Sequence, residues 1–179
     1  KNKSQKHIHF MKLALDQAKI NLGNTKDNPA VGCIIVKNDH VISSGFTSIK
    51  GRPHAEQNAI NFSKTNLKNS ELYVTLEPCS HYGRTPPCVT SIIKSKIKKV
   101  IFSIKDPDPR SFNKCTKKLE NKGIIVINGV LKDKIKSFYR SYLKSKKNKL
   151  PFVTSKLAIS KDFYTINKKN KWITNEFSR

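Results

Sequence analysis

Apolar residues recur with two different periods along the chain, and these periods separate predicted helices from predicted strands. Between residues 7 and 22 they follow the three-to-four-residue spacing of an amphipathic helix, and Gly23-Asn24 supplies a stop signal. Two short apolar runs follow at residues 31–36 and 41–46, with Asn38-Asp39 between them. This pattern predicts a β-hairpin with a tight turn.

The rest of the chain alternates strand-like and helix-like segments. Strands are predicted at residues 71–76, 99–104 and 124–127, and helices at residues 54–64, 87–96, 111–121 and 131–149. This alternation is typical of an α/β domain whose sheet is mainly parallel after the opening hairpin. The lysine-rich stretch 144–149 and Pro151 mark the best candidate boundary, and residues 152–160 are predicted to form a new strand.

The charge balance is strongly basic. The chain has 36 Lys and Arg residues against 12 Asp and Glu, a formal net charge of +24. Such a charge can attract nucleic acid or a small anion. Only five of the cations are arginines, which read bases and phosphates with paired hydrogen bonds, and the lysines are spread along the chain. We therefore predict no dedicated nucleic-acid partner. No apolar run approaches about 18 residues, so no membrane span is predicted.

The cysteines and the amino-terminal segment bear on the cellular compartment. Residues 1–10 contain cations but lack the apolar stretch of a secretory signal, so we expect the reducing cytoplasm. Cysteines in that compartment bind metals or do chemistry more often than they form disulfides. The first residue is Lys1 rather than Met, and we expect the chain to be part of a longer protein.

A His-x-Glu pair and two cysteines form the chemically informative pattern. His54 and Glu56 open a predicted helix, Cys79 follows Pro78 at the end of a predicted strand, and Cys88 opens the next helix. One His and two Cys provide three zinc ligands and leave a fourth position for water, which is the arrangement of a catalytic site. Glu56 is placed to carry a proton from that water to a leaving amine.

Each half of this pattern also has a simpler explanation. A His-x-Glu pair is common by chance, and two cysteines nine residues apart can be core residues or part of a structural site. Taken together, the two halves match the zinc nucleobase-deaminase signature. Pro78 precedes the first cysteine, and each half contains the start of a predicted helix. We therefore predict a zinc deaminase site.

The segment from Thr75 to Cys88, TLEPCSHYGRTPPC, has a longer gap between the cysteines than the usual signature. It closely resembles the deaminase domain of the bifunctional riboflavin-biosynthesis deaminase/reductase family. The segments around Asn28-Pro29 and Asp106-Pro107-Asp108-Pro109 support this resemblance, which extends over residues 7–147. It implies a three-layer α/β/α, cytidine-deaminase-like fold with a mixed, mostly parallel sheet.

The resemblance also implies a reaction. Family members hydrolyse the 2-amino group of 2,5-diamino-6-(5-phosphoribosylamino)pyrimidin-4(3H)-one and release 5-amino-6-(5-phosphoribosylamino)uracil and ammonia. Glu56 would protonate the ring nitrogen and then the departing amine, with Zn²⁺ held by His54, Cys79 and Cys88. The substrate is a small phosphoribosylaminopyrimidine, and family members assemble into oligomers, so we expect a homo-oligomer.

Five further residues are expected at the substrate by the same resemblance. His81 and Arg84 lie in the loop between the cysteines, where Arg84 would pair with the ribose phosphate or a ring carbonyl. Asn28 would hydrogen-bond the substrate, while Asp106 and Asp108 would contact ribose or pyrimidine. The alternatives are a solvated cation at Arg84, loop packing at His81, and turn-shaping roles for Asn28 and the two aspartates.

The sequence departs from the family pattern at several positions. Thr47 stands where the family usually has His, Asp108 where many members have Asn, and Asn113 and Cys115 where the family often has Gly. These changes leave the zinc ligands intact and concern how the ribose phosphate is held. Cys33 is expected in a buried strand, and Cys115 on a helix surface or in the core.

The last segment resembles the start of the family's reductase domain. Lys156, Ser160, Asp162 and Trp172 match positions of its NADPH site. About thirty residues are too few for a nucleotide-binding domain, since a stable domain needs about 50 or more. We expect residues 1–147 to be the deaminase domain and residues 148–179 to be a linker and a truncated reductase start, with NADPH used only by the full-length parent.

Two rival functions stay open at this stage. One is deamination of another base, such as cytosine, cytidine or tRNA adenosine, against which the long loop between the cysteines argues. The other is a non-catalytic basic zinc module that binds RNA. This second rival needs four protein ligands, and the sequence offers no convincing fourth ligand, although His81 is close enough to be considered.

Overall fold

A computed structural model describes residues 3–110 and 114–165 of the chain. Its helices are α1 (Lys3–Lys19), α2 (Ala55–Phe62), α3 (Cys88–Lys94), α4 (Lys114–Glu120), α5 (Lys132–Phe138) and α6 (Arg140–Asn148). Its strands are β1 (Gly32–Lys37), β2 (His40–Phe46), β3 (Glu71–Leu76), β4 (Lys99–Ile104) and β5 (Ile125–Asn128). None of the helices in these ranges is long and apolar enough to cross a membrane.

The strands form one mixed sheet in the order β2-β1-β3-β4-β5. Strand β1 pairs antiparallel with both β2 and β3, whereas β3, β4 and β5 pair in parallel. The hairpin turn lies at Asn38 and Asp39, whose φ angles of 50° and 62° are those of a tight hairpin turn. The predicted hairpin and α/β layout are confirmed.

Helices cover both faces of the sheet, which gives the predicted three layers. Helix α1 packs on β1 and β3, α2 packs on β2 and β1, and α3 lies between α2 and α4. Two glycines permit the close packing of the hairpin. A Cβ atom at Gly32 would lie 1.9 Å from the Ala14 carbonyl oxygen of α1, and one at Gly45 would lie 2.4 Å from the Ala55 carbonyl oxygen of α2.

The predicted helix over residues 131–149 is wrong in one respect, because it is two helices that meet at Tyr139. Tyr139 is buried at 2% exposure. Its hydroxyl donates to the Ala30 carbonyl oxygen at 2.9 Å and lies 2.6 Å from the Thr75 hydroxyl. This long-range anchor fixes Tyr139 against the sheet, and α6 begins at the next residue, Arg140.

The predicted strand at residues 152–160 is also wrong. Residues 151–165 contain no helix or strand, and Val153 and Leu157 are 79% and 74% exposed. A β-strand needs a neighbour for its backbone hydrogen bonds, and no described strand pairs with this segment. The segment instead ends in a local turn, in which Ser160 N–H donates to the Tyr164 carbonyl oxygen at 2.8 Å.

Candidate metal centre and active site

The three predicted zinc ligands come from the ends of three regular elements. His54 directly precedes α2, in extended conformation at φ −70° and ψ 160°. Cys79 follows the end of β3, and Cys88 is the first residue of α3. Because β3 ends beside the starts of α2 and α3, the three side chains meet at the carboxyl end of this strand, where open α/β sheets bind ligands.

The spacing of the ligand atoms fits a zinc ion. His54 Nδ1 lies 3.3 Å from Cys88 Sγ and 3.6 Å from Cys79 Sγ. A tetrahedral ion with Zn–N of about 2.0 Å and Zn–S of about 2.3 Å separates a nitrogen and a sulfur ligand by about 3.5 Å. All three ligand atoms lie within 4.8 Å of one another. Both the donor set and its dimensions are those of a zinc site.

Hydrogen-bond donors surround the sulfur of Cys79. The backbone N–H of Cys88 donates to Cys79 Sγ at 3.2 Å. The Cys88 thiol and the His54 ring also act on this sulfur, and together they hold the pKa of the Cys79 thiol well below its usual range. The same shared proton raises the pKa of Cys88. A cation bound between the two sulfurs would take the place of that proton and hold both groups as thiolates.

Glu56 lies in the first turn of α2, beside the cluster, and is 4% exposed. Burial raises the pKa of its carboxyl to about 7. The carboxyl and the Cys88 thiol are close enough to influence each other's pKa. A carboxyl whose pKa is near neutrality can both accept and donate a proton at physiological pH, which is what an acid–base group in a deamination requires.

Within residues 3–110 and 114–165, no other His, Cys, Asp or Glu joins the ligand cluster. His81, the residue considered as a fourth ligand, lines the cavity above the cluster without belonging to it. This arrangement favours three protein ligands and an open position over the closed, four-ligand arrangement of a structural zinc site.

A cavity of about 710 Å³ opens above the cluster. Its lining contains almost every residue that the sequence predicted for the site: Asn28, His54, Glu56, Cys79, His81, Arg84, Asp106 and Asp108. The remaining ligand, Cys88, is buried at 4% exposure. Metal ligands, the acid–base candidate and the proposed substrate residues therefore share one cavity.

Asn28 is held in the cavity wall by the turn around it. Its side-chain nitrogen donates to the Gly51 carbonyl oxygen at 3.0 Å, and its backbone carbonyl accepts from the Thr25 hydroxyl at 2.7 Å. Gly51 has a φ of +89°, and a Cβ there would lie 2.4 Å from the Asn28 side-chain nitrogen. Asn28 thus has a structural contact in addition to its place beside the substrate cavity.

The loop between the two cysteines is tied to the rest of the domain at both ends. Lys118 Nζ of α4 donates to the Ser80 carbonyl oxygen at 2.6 Å. At the other end, the Arg52 guanidinium donates to the Thr85 hydroxyl. Arg84 lies between these anchors, is exposed, and makes no ion pair with a described carboxylate. Its guanidinium is therefore available at the cavity mouth.

The two aspartates after β4 form a hydrogen-bonded turn. Asp106 Oδ1 accepts from the Tyr142 hydroxyl and from the Asp108 N–H, both at 3.0 Å. Asp108 accepts from the Arg110 guanidinium at 2.6 Å and 2.9 Å. Burial raises the pKa of Asp106, whereas the Arg110 guanidinium holds the pKa of Asp108 well below its usual range. The aspartates shape the turn as well as line the cavity.

Several cavity residues were not identified from the sequence. They are Lys26, Lys50, Arg52, Arg110, Tyr142 and Lys146. Five of the six are cations, and in a chain with 36 lysines and arginines no individual cation stands out. Only α6 offers a sequence pattern that could have identified any of them: Tyr142 and Lys146 are four residues apart and therefore share one helical face.

The structure describes the surroundings of Thr47 and Cys115, two residues that depart from the family pattern, and of Cys33. Thr47 is 2% exposed, and its hydroxyl accepts from Val31 N–H at 2.9 Å and donates to the Pro29 carbonyl oxygen at 3.2 Å. It therefore fastens the wall segment that contains Asn28. Cys115 and Cys33 are both fully buried. The strand position of Cys33 is confirmed, and Cys115 is a core residue; Asn113 lies outside the described residues.

The residues assigned to a reductase remnant lie apart from the cavity. Lys156 is exposed, and Ser160 and Asp162 hydrogen-bond each other in the local turn of the tail. None of these three lines the cavity above the metal cluster. Trp172 lies outside the described residues.

Residues 4–104 match the family model described as the cytidine and deoxycytidylate deaminase zinc-binding region. The match contains all of the predicted metal ligands and Glu56, and it covers more than half of the chain. The chain belongs to this family. The prediction of a zinc-dependent deaminase is confirmed at this level.

Curated relatives point to a more specific group of proteins within this family. The riboflavin biosynthesis protein RibD of Haemophilus influenzae is 41% identical over 172 residues, which are 95% of this chain and 46% of that protein. RibD of Bacillus amyloliquefaciens is 40% identical over 173 residues, 96% of this chain and 47% of that protein. The resemblance to the bifunctional riboflavin-biosynthesis family is confirmed. The chain spans about half the length of the curated relatives it matches.

Solved structures agree with the sequence relatives. A diaminohydroxyphosphoribosylaminopyrimidine deaminase/5-amino-6-(5-phosphoribosylamino)uracil reductase from Thermotoga maritima has a TM-score of 0.91 at 38% identity, over 98% of this chain and 52% of that one. RibD of Acinetobacter baumannii has a TM-score of 0.89 at 37% identity, over 99% and 50%. The predicted cytidine-deaminase-like fold is confirmed.

Proposed function

We propose that this chain hydrolyses the 2-amino group of 2,5-diamino-6-(5-phosphoribosylamino)pyrimidin-4(3H)-one, giving 5-amino-6-(5-phosphoribosylamino)uracil and ammonia. One observation carries the proposal: His54, Cys79 and Cys88 meet beside the buried carboxyl of Glu56, beneath a cavity of about 710 Å³. Relatives 40–41% identical to the chain bear the name of riboflavin biosynthesis proteins, which supports this pyrimidine over other bases.

His54, Cys79 and Cys88 would hold the zinc ion, which acts as a Lewis acid that activates water at neutral pH. Glu56 takes the proton that the water loses and delivers it to the ring nitrogen next to the reacting carbon. It then transfers the second proton of the water to the amino group, which leaves as ammonia. Because burial raises its pKa to about 7, Glu56 can alternate between these states at neutral pH.

The walls of the cavity provide the proposed substrate contacts. Asn28 and His81 would hydrogen-bond the substrate, and Arg84 at the cavity mouth would pair with an anionic or carbonyl oxygen. Asp106 and Asp108 would contact the ribose or pyrimidine from the turn after β4. These roles are part of the proposal and follow from the position of each side chain in the lining.

The charge distribution of the cavity also favours a phosphorylated substrate. Glu56, Glu77 and Asp106 are buried, at 4%, 3% and 8% exposure. Cations predominate among the exposed lining residues instead: Lys26, Lys50, Arg84 and Arg110 outnumber the one exposed carboxylate of the described lining, Asp27. A substrate with a neutral heterocycle and a charged phosphate matches this order, with the base at the floor and the phosphate at the rim.

The experiment that tests the proposal is a substrate panel with the zinc-loaded protein. Ammonia release and the mass of the product are measured with the diaminopyrimidine ribotide, cytosine, cytidine, deoxycytidylate and a tRNA that contains a target adenosine. We expect turnover of the ribotide alone, with replacement of one amino group by a carbonyl. Turnover of cytidine or tRNA with no turnover of the ribotide would contradict the proposal.

We propose that residues 1–147 are the deaminase domain and that residues 148–179 are a linker with the truncated start of a reductase. The support is the end of the last helix, α6, at Asn148 and the absence of regular structure in residues 151–165. NADPH would then serve only a longer parent protein. Removal of residues 150–179 is expected to leave deamination unchanged, and loss of folding on removal would place these residues within the deaminase domain.

A cytoplasmic location, a homo-oligomeric assembly and the lack of a dedicated nucleic-acid partner stay predictions from the sequence. Sedimentation of the purified protein measures the assembly. Titration with duplex DNA and RNA at several salt concentrations measures nucleic-acid binding, for which we expect only the weak, salt-sensitive attraction of a chain with net charge +24.

A further inference from the structure

The function proposed above leaves open which cation recognises the phosphate of the substrate. Six cations line the cavity: Lys26, Lys50, Arg52, Arg84, Arg110 and Lys146. They differ in how exposed they are and in what already occupies their hydrogen-bond donors. A cation recognises a phosphate best when it is partly shielded from water and is not engaged by another group, because water and salt screen an exposed charge.

Two of these cations already have partners in the protein. The Arg52 guanidinium donates to the Thr85 hydroxyl and anchors the loop between the cysteines. The Arg110 guanidinium donates to both carboxylate oxygens of Asp108, at 2.6 Å and 2.9 Å. The Arg110–Asp108 pair neutralises two charges of the rim, whereas Arg52 keeps its charge but is already engaged in holding the loop.

The remaining four cations differ in burial. Lys26, Lys50 and Arg84 are exposed, whereas Lys146 is half-buried. Among the residues that the structure describes, no carboxylate lies within 4.0 Å of the Lys146 ammonium. Lys146 is thus the one half-buried cation of the described cavity wall that has no ion-pair partner and no hydrogen bond to a neighbouring side chain.

The position of Lys146 is fixed by the helix that carries it. It lies one turn after Tyr142 in α6, with its Nζ atom 5.7 Å from the centroid of the Tyr142 ring. The Tyr142 hydroxyl donates to Asp106 at 3.0 Å and thereby ties α6 to the turn after β4. Lys146 is half-buried and lines the cavity, so its ammonium lies at the cavity wall beside the Tyr142 ring.

The nearby carboxylates do not cancel the charge of Lys146. Asp106 acts on Lys146 through space, since Lys146 favours its charged form, but the two side chains form no ion pair, and Asp106 Oδ1 already accepts from the Tyr142 hydroxyl and the Asp108 N–H. Asp108 is neutralised by Arg110. An incoming phosphate would therefore meet, on the α6 side of the cavity, an ammonium that no described carboxylate contacts directly.

We propose that Lys146 is the specificity-determining contact for the phosphate of the substrate, and that α6 belongs to the active-site wall. The identity of the phosphorylated substrate rests on the proposed function, whereas the phosphate contact itself does not. It also gives a role to part of the lysine-rich stretch 144–149, which the sequence analysis interpreted only as a candidate domain boundary.

The test compares Lys146→Ala with Lys147→Ala in the zinc-loaded protein. Lys147 is the adjacent residue of α6, is exposed, and does not line the cavity. Deamination rates are measured with the ribotide and with the same compound lacking its phosphate. Lys146→Ala is expected to raise KM for the ribotide about tenfold, with kcat and the reaction of the dephosphorylated compound unchanged. Lys147→Ala is expected to change neither reaction.

Equal losses with the two substrates, or no loss in Lys146→Ala, would overturn the inference. Calorimetric binding of ribose 5-phosphate separates the inference from the proposed function, because binding needs no deamination. About tenfold weaker binding by Lys146→Ala, in a protein that deaminates no ribotide, would reject the function and retain the phosphate contact. Unchanged binding, in a protein that does deaminate the ribotide, would reject the contact and retain the function.

Discussion

At the floor of the cavity, the reactive side chains extend from the ends of regular elements, whereas at the rim most charged side chains extend from loops and turns. His54, Glu56 and Cys88 belong to the starts of α2 and α3, and Glu56 and Cys88 are buried. Arg84 and Lys26 are exposed and make no ion pair with a described carboxylate.

This difference shows how the molecule divides chemistry from recognition. The floor needs fixed distances, since an error of a fraction of an ångström at a metal or a proton-transfer group is costly, and packed helix ends supply such precision. The rim recognises a charge, which acts over a longer range and tolerates movement. Substitutions at the floor should therefore abolish the reaction, while single substitutions at the rim should weaken substrate binding.

The largest effect is expected from loss of a metal ligand. Cys79→Ser replaces a thiolate with a hydroxyl that binds zinc poorly, so we expect the zinc content to fall from about one ion per chain to near zero and deamination to be undetectable. Metal analysis after dialysis measures this. Cys115→Ala is the matched control, because Cys115 is a buried cysteine outside the cluster. A full zinc complement in Cys79→Ser would contradict the ligand assignment.

The next largest effect concerns proton transfer. Glu56→Ala is expected to keep its zinc and to lower kcat by about 10²- to 10⁴-fold, because no other buried carboxyl lies in the first turn of α2 to move the protons. Gln57→Ala provides the control on the same helix, since Gln57 contacts Ser91 and does not line the cavity. Near-normal ammonia release by Glu56→Ala would reject the role of Glu56.

The floor was predictable from sequence because each ligand type is rare and each lies at a recognisable element end. His54 and Cys88 were placed at helix starts, and Cys79 after a strand, from local patterns alone. The hairpin at Asn38-Asp39 was predictable for the same reason, since turn residues act locally. These predictions needed no knowledge of which distant segments contact each other.

The errors arose where distant contacts decide the structure. The predicted helix over residues 131–149 divides at Tyr139, whose hydroxyl is fixed by Ala30, 109 residues earlier in the chain. Apolar residues at 152–160 resemble a strand, but no sheet edge of the described chain receives them. Tyr142 donates to Asp106, 36 residues earlier in the chain, and a contact over that distance could not be predicted from residue types.

At the rim, the expected loss is smaller. Arg84→Ala removes an exposed guanidinium from the cavity mouth, and we expect kcat/KM for the ribotide to fall about tenfold, mainly through KM, with zinc content unchanged. Arg140→Ala is the control, because Arg140 lies over the Phe152 ring at 4.9 Å and does not line this cavity. An unchanged KM in Arg84→Ala would show that Arg84 is only a solvated loop residue.

The smallest effect on substrate binding is expected from Tyr142, which supports the rim through a hydrogen bond and carries no charge. Tyr142→Phe removes the hydroxyl that donates to the buried Asp106, while the ring and its packing stay. Loss of one partner of a buried, charge-assisted hydrogen bond costs about 1–3 kcal/mol, and the value here should lie near the lower limit because Asp106 still accepts the Asp108 N–H.

Urea denaturation measures the change in the free energy of unfolding for Tyr142→Phe, and Tyr164→Phe, in the exposed tail, is the control that should show none. KM for the ribotide should rise a few-fold, because the turn from Asp106 to Arg110 would lose its brace to α6. Unchanged stability together with unchanged KM would mean that α6 is not mechanically coupled to the rim. The rim would then recognise the substrate by its loops alone, and the contrast between a packed floor and a loop-built rim would be sharper still.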